Sequence, residues 1–448
     1  MYDLFVIGSG PAGYTAALLA AKKGLTVAIA EGKNFGGTCT NTGCIPTKSY
    51  IESIHLFNKI NAAKRFGIDT GKPSLGLDSL STRKSRIVKR LVKGIELLLK
   101  GAGIDIHTGP AEVVEPTRVK VGEQTFDTRF IIVATGSQPK RPSLFDVPGI
   151  WTSENLFEMK DLPETLAIVG GGVIGMEMAH IFSSLGSTVT VIEAMERILP
   201  FEDPQVSTFL AKNFRKVTIR TSSTITDIQG RQPYTLAIET PDGDVRLTAE
   251  KILLSIGRQP VIPQGLERLG TKLNSSRGIQ VDDTMQTSIP GIYAIGDVTG
   301  EYMYAYVASK EAEIAVDHLT GGGQRISYHN IPSIIFTSPE IASVGKNLEE
   351  IDHETMKQGT FPVSALGRAR TMESNDGYAR MICNKEGLIE RVTIVSPHAT
   401  ELITIATLAI EKGLTAQDFL EIYHPHPVLS ELLKEAAQDV EGLSVHKP

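Results

Sequence analysis

Short apolar runs that stop abruptly at glycine recur along the chain and set its frame. Residues 4–13 read Leu-Phe-Val-Ile-Gly-Ser-Gly-Pro-Ala-Gly, and residues 166–175 read Leu-Ala-Ile-Val-Gly-Gly-Gly-Val-Ile-Gly. Continuous apolar stretches of this length predict strands buried on both faces. Each is followed by a helical stretch and then by a second apolar run ending in glutamate, Glu31 in the first case and Glu193 in the second. Similar runs ending in glycine turns lie at 130–137, 251–258 and 291–297. Between them, 45–66 and 78–103 are predicted helices, the second carrying Ile87, Leu91, Ile95 and Leu98 at helical spacing. From about residue 328 the character changes. Strand signals at 331–336, 378–383 and 388–395 alternate with helix signals at 400–412 and 428–439, which predicts a separate α+β domain.

The two glycine-rich turns are copies of one unit. Gly8 and Gly170, Gly13 and Gly175, and Glu31 and Glu193 are each 162 positions apart. In a strand–turn–helix–strand unit the first glycine makes the tight turn. The second lets the backbone approach a pyrophosphate, and the third lets helix and strand pack closely. The helix N-terminus offers unpaired N–H groups to the phosphates, and the acid ending the second strand accepts from a ribose 2′-hydroxyl. One G-x-G-x-x-G alone is equally a plain glycine turn. Two copies with the acid at the same distance predict two dinucleotide sites: Gly8, Gly10, Gly13 and Glu31 in one, Gly170, Gly172, Gly175 and Glu193 in the other. A chain of 448 residues has room for both, since roughly 150 residues per domain predicts about three domains.

Composition narrows the partners. With 41% hydrophobic and 21% charged residues the chain is ordinary globular protein. A net charge of −6 gives no long-range pull toward nucleic acid or anionic lipid. Three cysteines exclude a disulfide-stapled secreted scaffold but not a redox pair. No apolar run reaches the ~18 residues of a membrane span, and the opening Met-Tyr-Asp-Leu-Phe-Val-Ile-Gly is unlike a signal peptide. A soluble, cytoplasmic protein is expected.

Two clusters carry candidate chemistry. Cys39 and Cys44 lie in Phe35-Gly-Gly-Thr-Cys-Thr-Asn-Thr-Gly-Cys-Ile-Pro-Thr-Lys. On an ideal helix their rise alone is about 7.5 Å, beyond disulfide reach. Bridging them needs a distorted turn, which Gly43 makes cheap. The spacing is not that of a zinc site, so no metal is expected. Two readings remain at this level: unrelated buried thiols, or a dithiol working with a flavin in the first nucleotide site. Cys383, in an alternating strand, reads as core. Lys48, four residues after Cys44, and Glu177, two after Gly175, are solvated charges if taken in isolation. The second cluster is Tyr-His-Pro-His-Pro-Val-Leu-Ser-Glu at 423–431. Prolines fix the backbone on both sides of His426, histidine moves protons near neutrality, and Glu431 can orient its ring. A surface proline loop is the alternative for this stretch.

Taken together these residues resemble the flavin-dependent pyridine nucleotide–disulfide oxidoreductases, and within that family its dihydrolipoamide-oxidising branch. The resemblance runs in order through Gly8–Gly13, Gly36–Lys48, Ala134-Thr-Gly-Ser137, Gly170–Glu177, Ile256-Gly-Arg258, Gly296-Asp297 and His424–Glu431. It implies an α/β protein with two Rossmann-like domains and a C-terminal dimerisation domain. The expected limits are 1–147 and 269–327 for the two parts of the FAD-binding domain, 148–268 for NAD binding, and 328–448 for the dimerisation domain. One non-covalent FAD per subunit would be held by Gly8, Gly10, Gly13, Glu31, Lys48, Ala111, Thr135, Gly136, Asp297 and Ala305. NAD+ or NADH would be held by Gly170, Gly172, Gly175, Glu193 and Gly257, with Glu193 repelling the 2′-phosphate of NADP. The resemblance further implies that Cys39 and Cys44 form a redox-active disulfide, with Cys39 the outer thiol and Lys48 paired to Glu177. His426 with Glu431 would transfer protons across a homodimer interface. The implied reaction is oxidation of dihydrolipoamide, free or on a lipoyl-bearing carrier protein. Reduction of another small disulfide with NAD(P)H, or a non-catalytic redox-sensing or assembly role, are the alternatives.

Overall fold

The computed structural model describes residues 1–352 and 354–447. The chain divides into two compact units, one of residues 1–53, 74–162 and 252–327, the other of 54–73, 163–251 and 328–448. The architecture is α/β, with two Rossmann-like halves and a C-terminal α+β portion. Among the described residues, no helix is long and apolar enough to cross a membrane.

In the first unit the strand Tyr2–Ile7 lies between Val27–Glu31 and Gln124–Val133, parallel to both. Asp105–Thr108 extends the sheet beyond Val27–Glu31, and Ile292–Ala294 pairs with the far side of Gln124–Val133. Alternate residues enter different cores. Leu4, Val6, Ile29 and Ile132 belong to one cluster, and Phe5, Ile7, Ala28 and Ile131 to the other. That is why these runs are continuously apolar rather than alternating. The helix Pro11–Lys22 starts with proline in its first turn and buries a stripe of small residues, Ala12, Gly13, Ala16, Ala17 and Ala20. The second predicted helix forms as Leu77–Gly101, but its buried stripe is not the expected one. Leu80 and Leu99 are buried and Ile95 packs on the core, whereas Leu91 and Leu98 are exposed.

In the second unit Thr165–Val169, Thr188–Ile192 and Val217–Arg220 form the parallel repeat of this arrangement. The helix Val173–Leu185 lies between the first two in sequence, closed by Gly186 in the left-handed region (φ 111°). An antiparallel three-stranded sheet follows, Thr224–Gly230, Tyr234–Glu239 and Val245–Ala249. The C-terminal portion is a five-stranded antiparallel sheet in the order Ser333–Ile335, Glu340–Gly345, Ile389–Ser396, Tyr378–Cys383, Lys357–Pro362. The helices Ala399–Glu411 and Glu431–Val440 contribute Ile403, Ala406, Leu432 and Ala436 to its core. Cys383 is fully buried there, and burial pushes its thiol up to about 12.

Candidate functional site

The 162-residue repeat reappears atom for atom in the hydrogen bonds. The Glu31 carboxylate accepts the N–H of Ser9 (2.9 Å) and of Lys33 (2.7 Å). Glu193 accepts the N–H of Gly171 (2.6 Å) and of Met195 (2.7 Å). Ser9 and Gly171 are equivalent positions, as are Lys33 and Met195. Gly8 likewise donates to the Ala30 carbonyl and Gly170 to that of Ile192, both at 2.8 Å. Each acid thus clamps its glycine turn and retains spare lone pairs, since an ionised carboxylate offers about four acceptor sites.

The glycines do different work. A Cβ on Gly13 would stand 1.9 Å from the Gly8 carbonyl oxygen, so this glycine serves the contact between helix and strand. A Cβ on Gly10 would meet nothing nearer than the Gly37 Cα at 4.0 Å, and one on Gly172 nothing within 4 Å. The fold's own packing does not require glycine at either place. Both open onto a helix N-terminus with unpaired N–H groups, which suits an incoming pyrophosphate. The residues present therefore fit one dinucleotide at each turn. The unphosphorylated ribose of NAD fits the negatively charged Glu193 better than the 2′-phosphate of NADP does.

The thiols are attached to the first turn. The Gly36 N–H donates to the Ser9 carbonyl (3.0 Å), and the short helix Gly37–Asn41, carrying Cys39, starts there. That helix stops at Thr42 (φ −132°). The N–H groups of Thr42 and Gly43 both return to the Thr38 carbonyl, at 2.9 and 2.7 Å, and a new helix, Cys44–Asn61, begins at once. This break is the distortion that five-residue spacing demands. It brings the two sulfurs into a side-chain hydrogen bond, with Cys39 also facing the Cys44 backbone N–H. That hydrogen bond, burial and the charge of a Cys44 thiolate push the Cys39 thiol up, while the Lys48 ammonium one turn further on opposes the shift. Cys39 is half-buried and Cys44 exposed.

Several other expected FAD contacts, and the expected NAD contact Gly257, lie in the same unit. Thr135 donates through its hydroxyl to the Val261 carbonyl (2.5 Å), and Gly136 has φ 72°. The Ser137 hydroxyl donates to Asp297 (2.5 Å), which sits in the single turn Gly296–Thr299. Burial raises the Asp297 carboxyl, against the hydrogen bond from Ser137 and the charge of Arg258. Ala305 begins the helix Ala305–Leu319. Ala111 begins the strand Ala111–Glu115, two residues after Gly109, whose N–H bonds the Glu31 carbonyl. Gly257, at φ 98°, accepts the Lys140 N–H on its carbonyl (3.0 Å).

In the second unit Glu177 is buried on the helix Val173–Leu185, and its carboxylate takes the Phe336 N–H (3.1 Å). His426 Nδ1 lies 2.9 Å from Glu431 Oε1, whose other oxygen accepts the Val428 N–H (3.0 Å). Burial alone would raise Glu431. The hydrogen bonds from His426 and Val428, with the charges of His426 and Lys434, hold it below the ordinary carboxylate range. The histidine ring itself is 73% exposed. His424 turns away, with Nε2 2.6 Å from the Phe419 carbonyl oxygen. The sequence reading attached no role to Ser9, Ser137 or Arg258. Ser9 and Ser137 were legible only as the polar positions inside their motifs.

Residues 2–312 match the family model described as pyridine nucleotide-disulphide oxidoreductase, and residues 331–437 match its dimerisation domain. The dihydrolipoyl dehydrogenase of Chlamydia pneumoniae is 37% identical over 100% of this chain and 98% of its own. That of Thermus scotoductus is 36% identical over 99% and 98%. Among solved structures, LpdA of Mycobacterium tuberculosis superposes with a TM-score of 0.89 at 28% identity, covering 97% of this chain and 99% of that one.

Proposed function

The chain belongs to the pyridine nucleotide-disulphide oxidoreductases, and from that premise we propose how its own residues divide the work of oxidising dihydrolipoyl groups with FAD and NAD+. The carrying observation is the Cys39–Cys44 contact fastened to the first fingerprint turn through Gly36 and Ser9. Bound FAD would supply a two-electron acceptor for the dithiol, and bound NAD+ would supply the final hydride acceptor.

The residues at Gly8, Gly10, Gly13, Glu31, Thr135, Gly136, Asp297 and Ala305 would hold FAD, with Ala111 at its edge. Those at Gly170, Gly172, Gly175, Glu193 and Gly257 would hold NAD. In the oxidised enzyme Cys39 and Cys44 form a disulfide. A substrate thiolate attacks the Cys39 sulfur and Cys44 leaves as thiolate. The second substrate sulfur then displaces Cys39, which closes the lipoyl disulfide and leaves both cysteines reduced. His426 accepts the proton of the attacking substrate thiol, with Glu431 fixing its ring, and the proton of the second thiol goes to the displaced Cys39 sulfur. Lys48 supplies a positive charge at the thiolate. Because His426 is exposed on its own chain, it serves the site of the partner subunit in a homodimer built on the C-terminal portion. The physiological substrate would be a lipoyl arm on a carrier protein, in the cytoplasm. The domain limits expected from the sequence are retained within this reading.

The test is one steady-state comparison on purified protein. NAD+ with dihydrolipoamide should turn over, and NADPH with glutathione disulfide should not. The reverse result would replace the reading with that of another disulfide reductase, and bound FAD without turnover on either pair would leave only a binding role.

A further inference from the structure

Arg258 is almost buried, with 12% of its side chain exposed, and its donors are spent on one small region. Nε donates to the Ser137 hydroxyl oxygen (2.7 Å) and Nη2 to the Ser137 carbonyl (2.7 Å). Nη1 lies 3.4 Å from the Ser153 hydroxyl, and Nη2 3.5 Å from Glu154. The backbones hold the same partners together, since Arg258–Pro260 pairs antiparallel with Ser137–Pro139.

The consequence follows from counting protons. A guanidinium only donates, and a serine hydroxyl has a single hydrogen. With Arg258 Nε donating to its oxygen, Ser137 is left to spend that hydrogen outward, and it does so on Asp297 Oδ2 at 2.5 Å. Asp297 is therefore addressed as an acceptor, an arrangement that favours the ionised carboxylate because a hydrogen bond to the charged form stabilises it. The guanidinium charge, 4.0 Å from the same oxygen, acts in the same sense. Other charges nearby do not replace it. Glu154 faces Arg258, and the buried Glu311 on Ala305–Leu319 accepts the Gly296 N–H (2.5 Å), so neither brings a positive charge to Asp297.

We propose that Arg258 is a positioning residue of the flavin site, acting through Ser137 to present Asp297 as an ionised acceptor to the hydroxyl-bearing part of the cofactor. The inference rests on the assignment of Asp297 to FAD. It adds a residue one position from Gly257, so a single two-stranded ribbon carries a nucleotide contact and sets the polarity of a flavin contact.

The test follows FAD release from the holoenzyme, by flavin fluorescence, as a function of pH. Wild-type protein should hold FAD less tightly as pH falls and Asp297 takes up a proton. In Arg258→Gln that transition should move to higher pH, so that at a pH on the slope FAD is released about tenfold more readily for each unit of displacement. Ser137→Ala, a milder change, should move it the same way, and Arg258→Lys should restore part of the wild-type profile. Asp297→Asn should abolish the transition in either background. If Asp297→Asn binds FAD with the wild-type profile, the assignment of Asp297 to the flavin is wrong and the proposal falls with it. If Asp297→Asn removes the transition but Arg258→Gln leaves it where it was, the assignment stands and the relay alone is refuted.

Discussion

Alanine at Gly10 and at Gly13, introduced one at a time, should separate two reasons for having glycine in the first turn. At Gly13 the new Cβ lies 1.9 Å from a main-chain oxygen. Relief requires the helix Pro11–Lys22 to retreat from the strand Tyr2–Ile7 by about 1 Å, inside a core packed as densely as an organic crystal. Overpacking of that kind costs about 1–3 kcal/mol. At Gly10 the nearest atom is 4.0 Å away and the backbone is ordinary, at φ −65° and ψ −177°. Gly10→Ala therefore costs the protein only the difference between glycine and alanine at an N-cap, about 1 kcal/mol or less. Its methyl group instead occupies the space that faces a bound pyrophosphate. Applying the same 1–3 kcal/mol overlap penalty to the ligand gives a Kd for FAD weaker by roughly 5- to 150-fold. The assay is urea unfolding of flavin-stripped protein beside FAD titration of the same samples. Gly13→Ala should lower the unfolding midpoint of the stripped protein, whereas Gly10→Ala should leave it near wild type and lose FAD affinity. Gly10→Ala protein that binds FAD with the wild-type Kd would refute the reasoning, as would one that unfolds as early as Gly13→Ala.

Other outcomes follow from the same geometry. Cys44→Ser should abolish the long-wavelength thiolate–flavin absorption that appears on partial reduction, and a band that persists would show that another group supplies the thiolate. His426→Gln should slow oxidation of dihydrolipoamide strongly with FAD content intact; equal activity would take the histidine out of the mechanism. Glu431 has a depressed carboxyl, so its stabilisation is present above the ordinary value of 4.5 and is lost as pH falls through the lower folded value. Glu431→Gln should therefore flatten the acid loss of stability in that range, by less than about 1 kcal/mol because the exposed His426 ring is screened; an unchanged urea midpoint-versus-pH curve would count against the pair. Asp203 caps the helix Pro204–Asn213 through the Gln205 N–H and pairs with the buried Arg380 at 2.8 Å. Asp203→Ala should cost about 4–6 kcal/mol, from the lost cap and a buried guanidinium left with the neutral Gln358 amide oxygen in place of its carboxylate, and a loss under about 1 kcal/mol in urea unfolding would show that the neutral contact suffices.

What the sequence disclosed tracks where one local rule decided the structure. The doubled turns were legible because strand burial, glycine sterics and the acid all act within about 25 residues, and 378–383 was legible as a strand because its residues are apolar and β-prone. The strand Lys357–Pro362 was not, because it reads Lys-Gln-Gly-Thr-Phe-Pro and lies at the sheet edge, where glycine and proline are tolerated. Leu91 and Leu98 sit at the spacing of a buried stripe yet are 42% and 58% exposed. Periodicity identifies an apolar face without saying what covers it. The thiol pair was half legible: spacing showed that a distorted turn was needed, but the two N–H groups sharing the Thr38 carbonyl could not be read from spacing. The role of Arg258, a residue of the Ile256-Gly-Arg258 motif, was unreadable for a different reason, since its partner Ser137 lies 121 residues away.

The two copies of the nucleotide-binding unit also show how one scaffold acquired two uses. After its acid, each copy sends the chain back to the same carbonyl of its turn. In the first copy the Gly36 N–H reaches Ser9 O, and in the second the Leu199 N–H reaches the equivalent Gly171 O at 2.8 Å. The continuation then diverges. Behind Gly36 come Cys39 and Cys44, so the bond that closes this turn also starts the helix that carries Cys39. Behind Leu199 come Glu202 and Asp203, whose carboxylates are tied to Ser343 and Arg380 on the C-terminal sheet. The same backbone bond thus positions redox chemistry in one copy and anchors a nucleotide-binding half to its neighbouring sheet in the other. A thiol pair placed behind Leu199 would forfeit that anchor. The asymmetry of function between two near-identical turns therefore lies in what each carries about eight to thirteen residues past its acid.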